Sequence, residues 1–294
     1  MPHRTLCLLA LGVGGLFVTS APGATIYNNL TPNDSMAIAT RPDSSSGFEI
    51  EAGDDFFLSS QTIINGASFV GLIVPGTSGT PAISQVVAEM YRVFPLDSNT
   101  ARTPNVPTRV NSPSDVEFAS RDSAANELTF TTSVLNTTFT ALNSVQPGGI
   151  HPSPNQTTGG NGPLTGEEVQ INVSFSDPFD LQSDHFFFVP QVLLTNGGQF
   201  YWLSASRPIS GAGTTPFPPG VTDLQAWTRD AFLDPDWLRV GTDIVGGTPA
   251  PTFNTAFALD GTAVPEPGTF GVFVAGLALI GGGLRFAAMR KAAK

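Results

Sequence analysis

The chain has 294 residues, a formal net charge of −11 at pH 7 and one cysteine. Five of its 13 basic residues (Arg4, Arg285, Arg290, Lys291, Lys294) lie near the termini, so eight arginines face 23 of the 24 acids in the body, a charge of about −15. Such a surface repels phosphate backbones and excludes nucleic acid as a partner class. Cys7 falls inside an N-terminal apolar stretch, so a body that has lost that stretch has no thiol for disulfides, thiolate catalysis or cysteine–metal sites. Hydrophobic residues at 40%, with 22 Phe, support a folded core, whereas 31 Gly, 25 Pro and only 13% charged residues favour short strands and turns over helices.

Residues 1–4 form a small basic start, 6–18 an apolar run too short to span a membrane comfortably, and Ala21-Pro22-Gly23-Ala24 a small-residue cleavage region. Residues 1–24 therefore read as a signal peptide, 25–262 as an extracellular body and 263–294 as a separate tail. Gly12, Gly14 and Gly15 argue against a buried first helix, since each glycine costs a helix about 1 kcal/mol.

Within the body, 27–47 is rich in Ser, Thr, Asn, Asp and Pro and reads as a loop or edge strand. Strands are predicted around 48–58, and 62–64 meets 67–74 across Asn65-Gly66, a pair that tolerates positive φ and signals a hairpin. Residues 84–94 repeat the strand pattern, and 100–115 is a long polar connection. Strand candidates resume at 128–132 and 134–141, and 146–166 is a Gly/Pro/Asn-rich stretch without apolar period. Residues 169–175 alternate apolar and polar side chains, as a half-buried strand does. The nearly continuous apolar run 186–194 suits a central strand covered on both faces, with 199–203 as its hairpin return after Asn196-Gly197-Gly198. Residues 222–229 are predicted as one short helix, and 237–240 and 254–259 as the closing strands. About ten short strands without alternating long helices predict an all-β fold, an antiparallel, jelly-roll-like β-sandwich. No repeat of fixed period suggests a solenoid or propeller.

After the body come Val264, Pro265, Glu266 and Pro267, an uncharged run over 268–284, and then Arg285, Arg290, Lys291 and Lys294. The run is near the lower limit for a transmembrane helix, and the basic cluster holds its end in the cytoplasm, which puts the body outside. The two prolines keep the junction extended and accessible to a processing enzyme. This order of elements resembles the PEP-CTERM sorting domain of exported bacterial proteins, over about 264–294. The resemblance implies an address tag, cut near Pro265-Glu266-Pro267 by an exosortase-type membrane protease, with the body released or attached to the cell surface or matrix. A permanent, uncut anchor is the alternative. Asp54-Asp55-Phe56 together with 66–72 is similar to secreted β-rich bodies found beside such tails, and this implies no catalytic residues.

The sequence has no HExxH, P-loop, GxSxG or GxGxxG signature. His151 and His185 are expected to be structural, and no cofactor is called for. Asp54, Asp55, Asp234 and Asp236 are the weak candidates for a Ca²⁺ site, against a reading as solvated turn carboxylates. Trp227, Trp202, Trp237 and Tyr201 are the candidates for stacking on sugar, with Trp227 the best placed for the surface. The leading reading is a non-enzymatic exported protein of the cell surface or extracellular matrix, first held by its tail in the membrane. The alternatives are an exopolysaccharide-binding module and a secreted hydrolase, which needs two carboxylates placed across a cleft.

Overall fold

The period-two alternation of apolar side chains builds strands through almost the whole body. The computed structural model of the protein describes residues 24–45, 47–77, 79–151, 156–206 and 224–264. In chain order its strands are β1 (Ala24–Asn28), β2 (Pro32–Ala39), β3 (Ile50–Phe57), β4 (Thr62–Val74), β5 (Ile83–Arg92), β6 (Ala119–Asp122), β7 (Leu128–Ala141) and β8 (Ser144–Val145). They continue with β9 (Leu164–Leu181), β10 (His185–Leu194), β11 (Gln199–Ala205), β12 (Trp227–Asp230), β13 (Leu238–Arg239), β14 (Asn254–Thr255) and β15 (Phe257–Ala263). The helical pieces among the described residues are a 3₁₀ turn at Pro147–Gly149 and a π-type turn at Val240–Val245.

The strands form two sheets, so the fold is all-β. In the nine-stranded sheet, β4 pairs with β9 along one edge, and β9 pairs with β7. The other edge of β4 is shared by β15 and β11. Beyond them lie β1 on β15, and β2, β14 and β8 on the β11 side. The six-stranded sheet runs β13-β12-β3-β10-β5-β6. All pairings are antiparallel except β2 with β8.

One core lies between the sheets. Phe188 of β10 meets Trp202 of β11 at 6.0 Å between ring centroids and Phe257 of β15 at 5.4 Å. Tyr27 of β1 stacks on Phe257 at 4.4 Å and reaches Phe56 of β3 at 6.3 Å. Such edge-to-face and offset contacts add about 0.5–1.5 kcal/mol per pair beyond area burial. Two polar links also cross the core. The Thr40 hydroxyl donates to the Pro190 carbonyl at 2.6 Å, and the Thr255 amide and hydroxyl donate to Asp54 Oδ2 at 2.6 and 3.0 Å.

Several expected elements take a different form. Asn65-Gly66 does not close a hairpin: β4 runs straight through it for 13 residues, with a register shift between Ile64 and Gly66 against β9. The pair marks a bulge, and a Cβ at Gly66 would stand 3.1 Å from the Val173 carbonyl oxygen. Asn196 and Gly197 do turn with positive φ, of 57° and 68°. The turn nevertheless leads from β10 in the six-stranded sheet to β11 in the nine-stranded one, so it is a crossover between sheets. The 27–47 stretch contains β2, whose Met36, Ala37, Ile38 and Ala39 are fully buried; a strand covered on both faces shows no alternation to read. The helix expected over 222–229 is replaced, where the structure describes it, by β12, which pairs with β3 and is buried along its length. The two candidates at 128–141 are one continuous strand, β7.

Asp54 is fully buried, and burial, followed by the neighbouring Asp55, pushes its carboxyl well above the usual range. The folded state then binds a proton that the unfolded chain releases near pH 3.9. Stability from this group is therefore complete below about pH 4 and declines as pH rises towards the folded value, by about 1.4 kcal/mol for each pH unit crossed. Asp54→Asn keeps an acceptor for Thr255 and does not titrate. In urea melts it should be more stable than the wild type at pH 7 and lose that advantage near pH 3.5. An equal difference at both pH values would show that Asp54 is ionised in the native protein.

Candidate functional site

Alternation along the six-stranded sheet sends a second set of side chains outward, away from the main core. Tyr91, Phe187, Val189, Trp227 and Trp237 form a smaller apolar cluster on that face. Gly53 makes room for it, since a Cβ there would stand 3.1 Å from Val189 Cγ2 and 3.8 Å from Trp237 Cζ3. The long connection after β5 lies over the cluster. The Trp237 indole N–H donates to the Ser114 carbonyl at 3.1 Å. Arg102 grips Asp236 with two bonds of 2.8 and 2.6 Å, and the Asn105 amide adds a third at 2.8 Å. Burial pushes Asp236 up, but Arg102 and the Asn105 amide outweigh it and hold the carboxyl below its usual range. Arg109 pairs with Asp115 and lies 4.3 Å above the Phe94 ring.

At the centre is Arg229 of β12, 5% exposed. Its guanidinium pairs with both oxygens of Glu51, donates to the Tyr91 hydroxyl oxygen at 2.8 Å, and bonds the carbonyls of Asp115 and Pro235 at 3.0 and 3.3 Å. It also meets Asp234 at 2.9 Å and lies 4.4 Å over the Trp237 ring. Burial disfavours its charge, yet Glu51, followed by Tyr91, keeps it protonated more firmly than an ordinary arginine. Burial raises the Tyr91 hydroxyl far above its usual range, with Glu51 and Glu89 adding to the effect. That hydroxyl donates its one proton to Glu51 at 2.6 Å, which leaves Glu89 only a 3.5 Å contact with the same oxygen.

A cleft of about 400 Å³ opens beside this network, lined by Glu49, Glu89, Glu117 and Asp234 around Tyr91 and Arg229. Burial, then Glu51, raises the Glu49 carboxyl; burial, then Glu51, Glu49 and Glu117, raises Glu89 well above the usual range. Glu49 accepts a bond of 2.9 Å from Gln191. The cleft thus combines carboxyls shifted upward by burial, Glu89 more strongly than Glu49, with a fixed, charged floor, a composition suited to proton exchange with a ligand or to hydrogen bonding with a polyhydroxylated one.

The residues singled out in the sequence are placed differently. Trp227, expected at the surface, is 1% exposed, in the outer cluster with Trp237. Trp202 lies in the main core, its N–H donating to the Ala256 carbonyl at 3.0 Å, and Tyr201 is buried as well. No indole of the three offers a free face for stacking, because Trp202 lies between the sheets and the outer face that carries Trp227 and Trp237 is itself covered. Asp54 and Asp55 are consecutive in a strand and leave it on opposite faces, one to Thr255 in the core, the other to His185 Nε2 at 2.9 Å. The His185 ring stacks on Phe57 at 4.0 Å, and His151 lies in the connection before β9. Asp234 and Asp236 engage Arg229 and Arg102 rather than each other. Among the described residues no group of three or more His, Cys, Asp or Glu is placed to hold a metal ion. Val264 is described; Pro265, Glu266, Pro267, Arg285, Arg290, Lys291 and Lys294, and the signal-peptide residues 1–23, lie outside the described residues. No helix among the described residues is long and apolar enough to cross a membrane.

Glu89, Tyr91 and Arg229 were not among the sequence candidates. One signal for them exists, an acid in the otherwise apolar run Val86-Val87-Ala88-Glu89-Met90, but its partners come from strands far away in sequence. Comparison with models of protein families, with curated proteins and with solved structures gives no match.

Removing one member of a buried ion pair strands the other, at about 3–5 kcal/mol, whereas replacing both with apolar groups is often neutral. Arg229→Met should therefore lower stability by about that amount at pH 7, and adding Glu51→Met should restore more than half of it. Urea midpoints of the three proteins at pH 7 give the comparison.

Proposed function

We propose that the protein is an exported, non-enzymatic component of the cell surface or extracellular matrix, with a jelly-roll-like β-sandwich body delivered by a PEP-CTERM-type tail. The observation that carries this reading is the pairing of β1 with β15, in which Ala24 lies opposite Gly261. The first strand of the body starts, and its last one ends, at the same place, so both terminal signals leave from one corner. Among the described residues, the last bond tying the chain to the body is from the Val264 amide to the Gln61 carbonyl, at 2.7 Å. Pro265 follows at once and has no N–H with which to continue the ladder. Cleavage at Pro265-Glu266-Pro267 by an exosortase-type protease thus removes the tail without cutting a strand.

Intact-mass measurement on protein from the culture medium and from the cell envelope tests the processing step. A released form lacking 270–294 is expected; a mass that retains them in both fractions would refute it.

The acidic cleft favours a second reading, a secreted glycoside hydrolase in which Glu89 protonates the leaving oxygen and Glu49 activates water. Such a pair needs one carboxyl held protonated and one ionised across a bound sugar. Incubation with exopolysaccharide from the producing cells should then release reducing ends, and Glu89→Gln should abolish the release. Absence of any release with the wild type leaves the non-enzymatic reading. Exopolysaccharide binding by tryptophan stacking gains no support, since Trp202, Trp227 and Trp237 are buried.

A further inference from the structure

A sheet ends in strands whose outer N–H and C=O groups have no partner, and soluble proteins blunt such edges with shortness, charge, proline or bulges. Among the described residues, four edges are blunted. Strand β1 has five residues, β8 and β13 have two each, and β6 has four, with Arg121 and Asp122 among them. Strand β7 is different: it has 14 residues, none of them charged and none proline. It pairs with β9 along one side, and among the described residues no other backbone-to-backbone hydrogen bond reaches 129–140. Residues 131–138 are all exposed, Val134 and Leu135 at 54% and 49%. Its register irregularities begin at Val134, which leaves 128–134 as a regular, open run.

We propose that this run pairs edge to edge with β7 of a second copy of the chain, joining two nine-stranded sheets into one. Charge does not oppose the contact at this edge: two bodies of about −15 repel each other in general, whereas residues 128–141 carry no charge to set against themselves. The strip is also complementary to itself. An antiparallel, twofold pairing of a strand that reads Thr129, Phe130, Thr131, Thr132, Ser133, Val134 sets hydroxyls beside hydroxyls and apolar side chains near one another. Such a contact uses the same patch on both copies and closes at two, so it yields a dimer and not a fibre. The inference is independent of the export reading, since it uses only residues of the body.

Native mass spectrometry of the full chain, released from non-ionic detergent over about 1–100 µM, reads the outcome, because dimer population follows protomer concentration. A two-copy species that grows with concentration is expected. Thr132 faces itself when Phe130 lies opposite Val134 and Thr131 opposite Ser133. Thr132→Asp and the double variant Thr131→Asp/Ser133→Asp should each abolish it by opposing like charges across the twofold, while Val110→Asp, on an exposed residue away from this edge, should leave it unchanged. A wild type that stays single over the whole range overturns the proposal. So does a two-copy species that survives both edge variants, which then arises from another surface or from the tail. Amide exchange covers the case in which a variant misfolds: in the wild type, 129–134 should exchange several-fold more slowly at the highest concentration than at the lowest, and unchanged rates overturn the proposal.

Discussion

Strand β3 is buried on both faces and carries three carboxylates, Glu51, Asp54 and Asp55, and the way each is satisfied sets how the rest of the molecule packs. Alternation sends Asp54 into the main core and Glu51 and Asp55 to the outer face. Leaving any of them charged and alone would cost several kcal/mol, more than a good aromatic contact returns. The chain meets this constraint in three ways. Asp54 accepts two bonds from Thr255 with its carboxyl shifted upward by burial, Asp55 pairs with His185, and Glu51 is held between Arg229 and Tyr91.

The Glu51–Arg229 pair accounts for the unusual second layer on the six-stranded sheet. An arginine inside a protein needs most of its five N–H groups bonded. Arg229 finds those acceptors only because the connection after β5 and the turn before β13 fold over the sheet and present the carbonyls of Asp115 and Pro235. Trp237 closes that cover from above, and the Arg102–Asp236 pair fastens its rim. The acidic cleft is the gap left where this cover stops short of Glu49 and Glu89. Its raised carboxyls therefore follow from the structure that buries Glu51, since the same desolvation and the same negative neighbour act on them.

The nine-stranded sheet answers a different constraint. It is larger than the sheet it faces, and β7 extends past it, so that both faces of residues 131–138 stay in water while Phe130 and Phe139 still pack on the core. Threonine and serine are the residues that keep β preference without an apolar face, which explains the composition of that strand. At another edge of the same sheet, the β1–β15 pair brings the two ends of the body together.

The sequence by itself determined the all-β character and most strand positions, because period-two alternation, apolar runs and turn residues are local signals. Strands β5, β9 and β10 were legible for this reason. Strand β2 was not, because burial on both faces erases the alternation, and Asn65-Gly66 misled because a bulge and a hairpin turn draw on the same residues. Only the tertiary structure decided that β10 and β11 belong to different sheets, that Trp227 is covered, and that Glu51, Tyr91 and Arg229 meet. These three residues stand 40 and 138 positions apart along the chain. What joins them is the lateral order of β12, β3, β10 and β5, and strand order depends on which buried charges and faces can be satisfied together, not on any pattern within one strand.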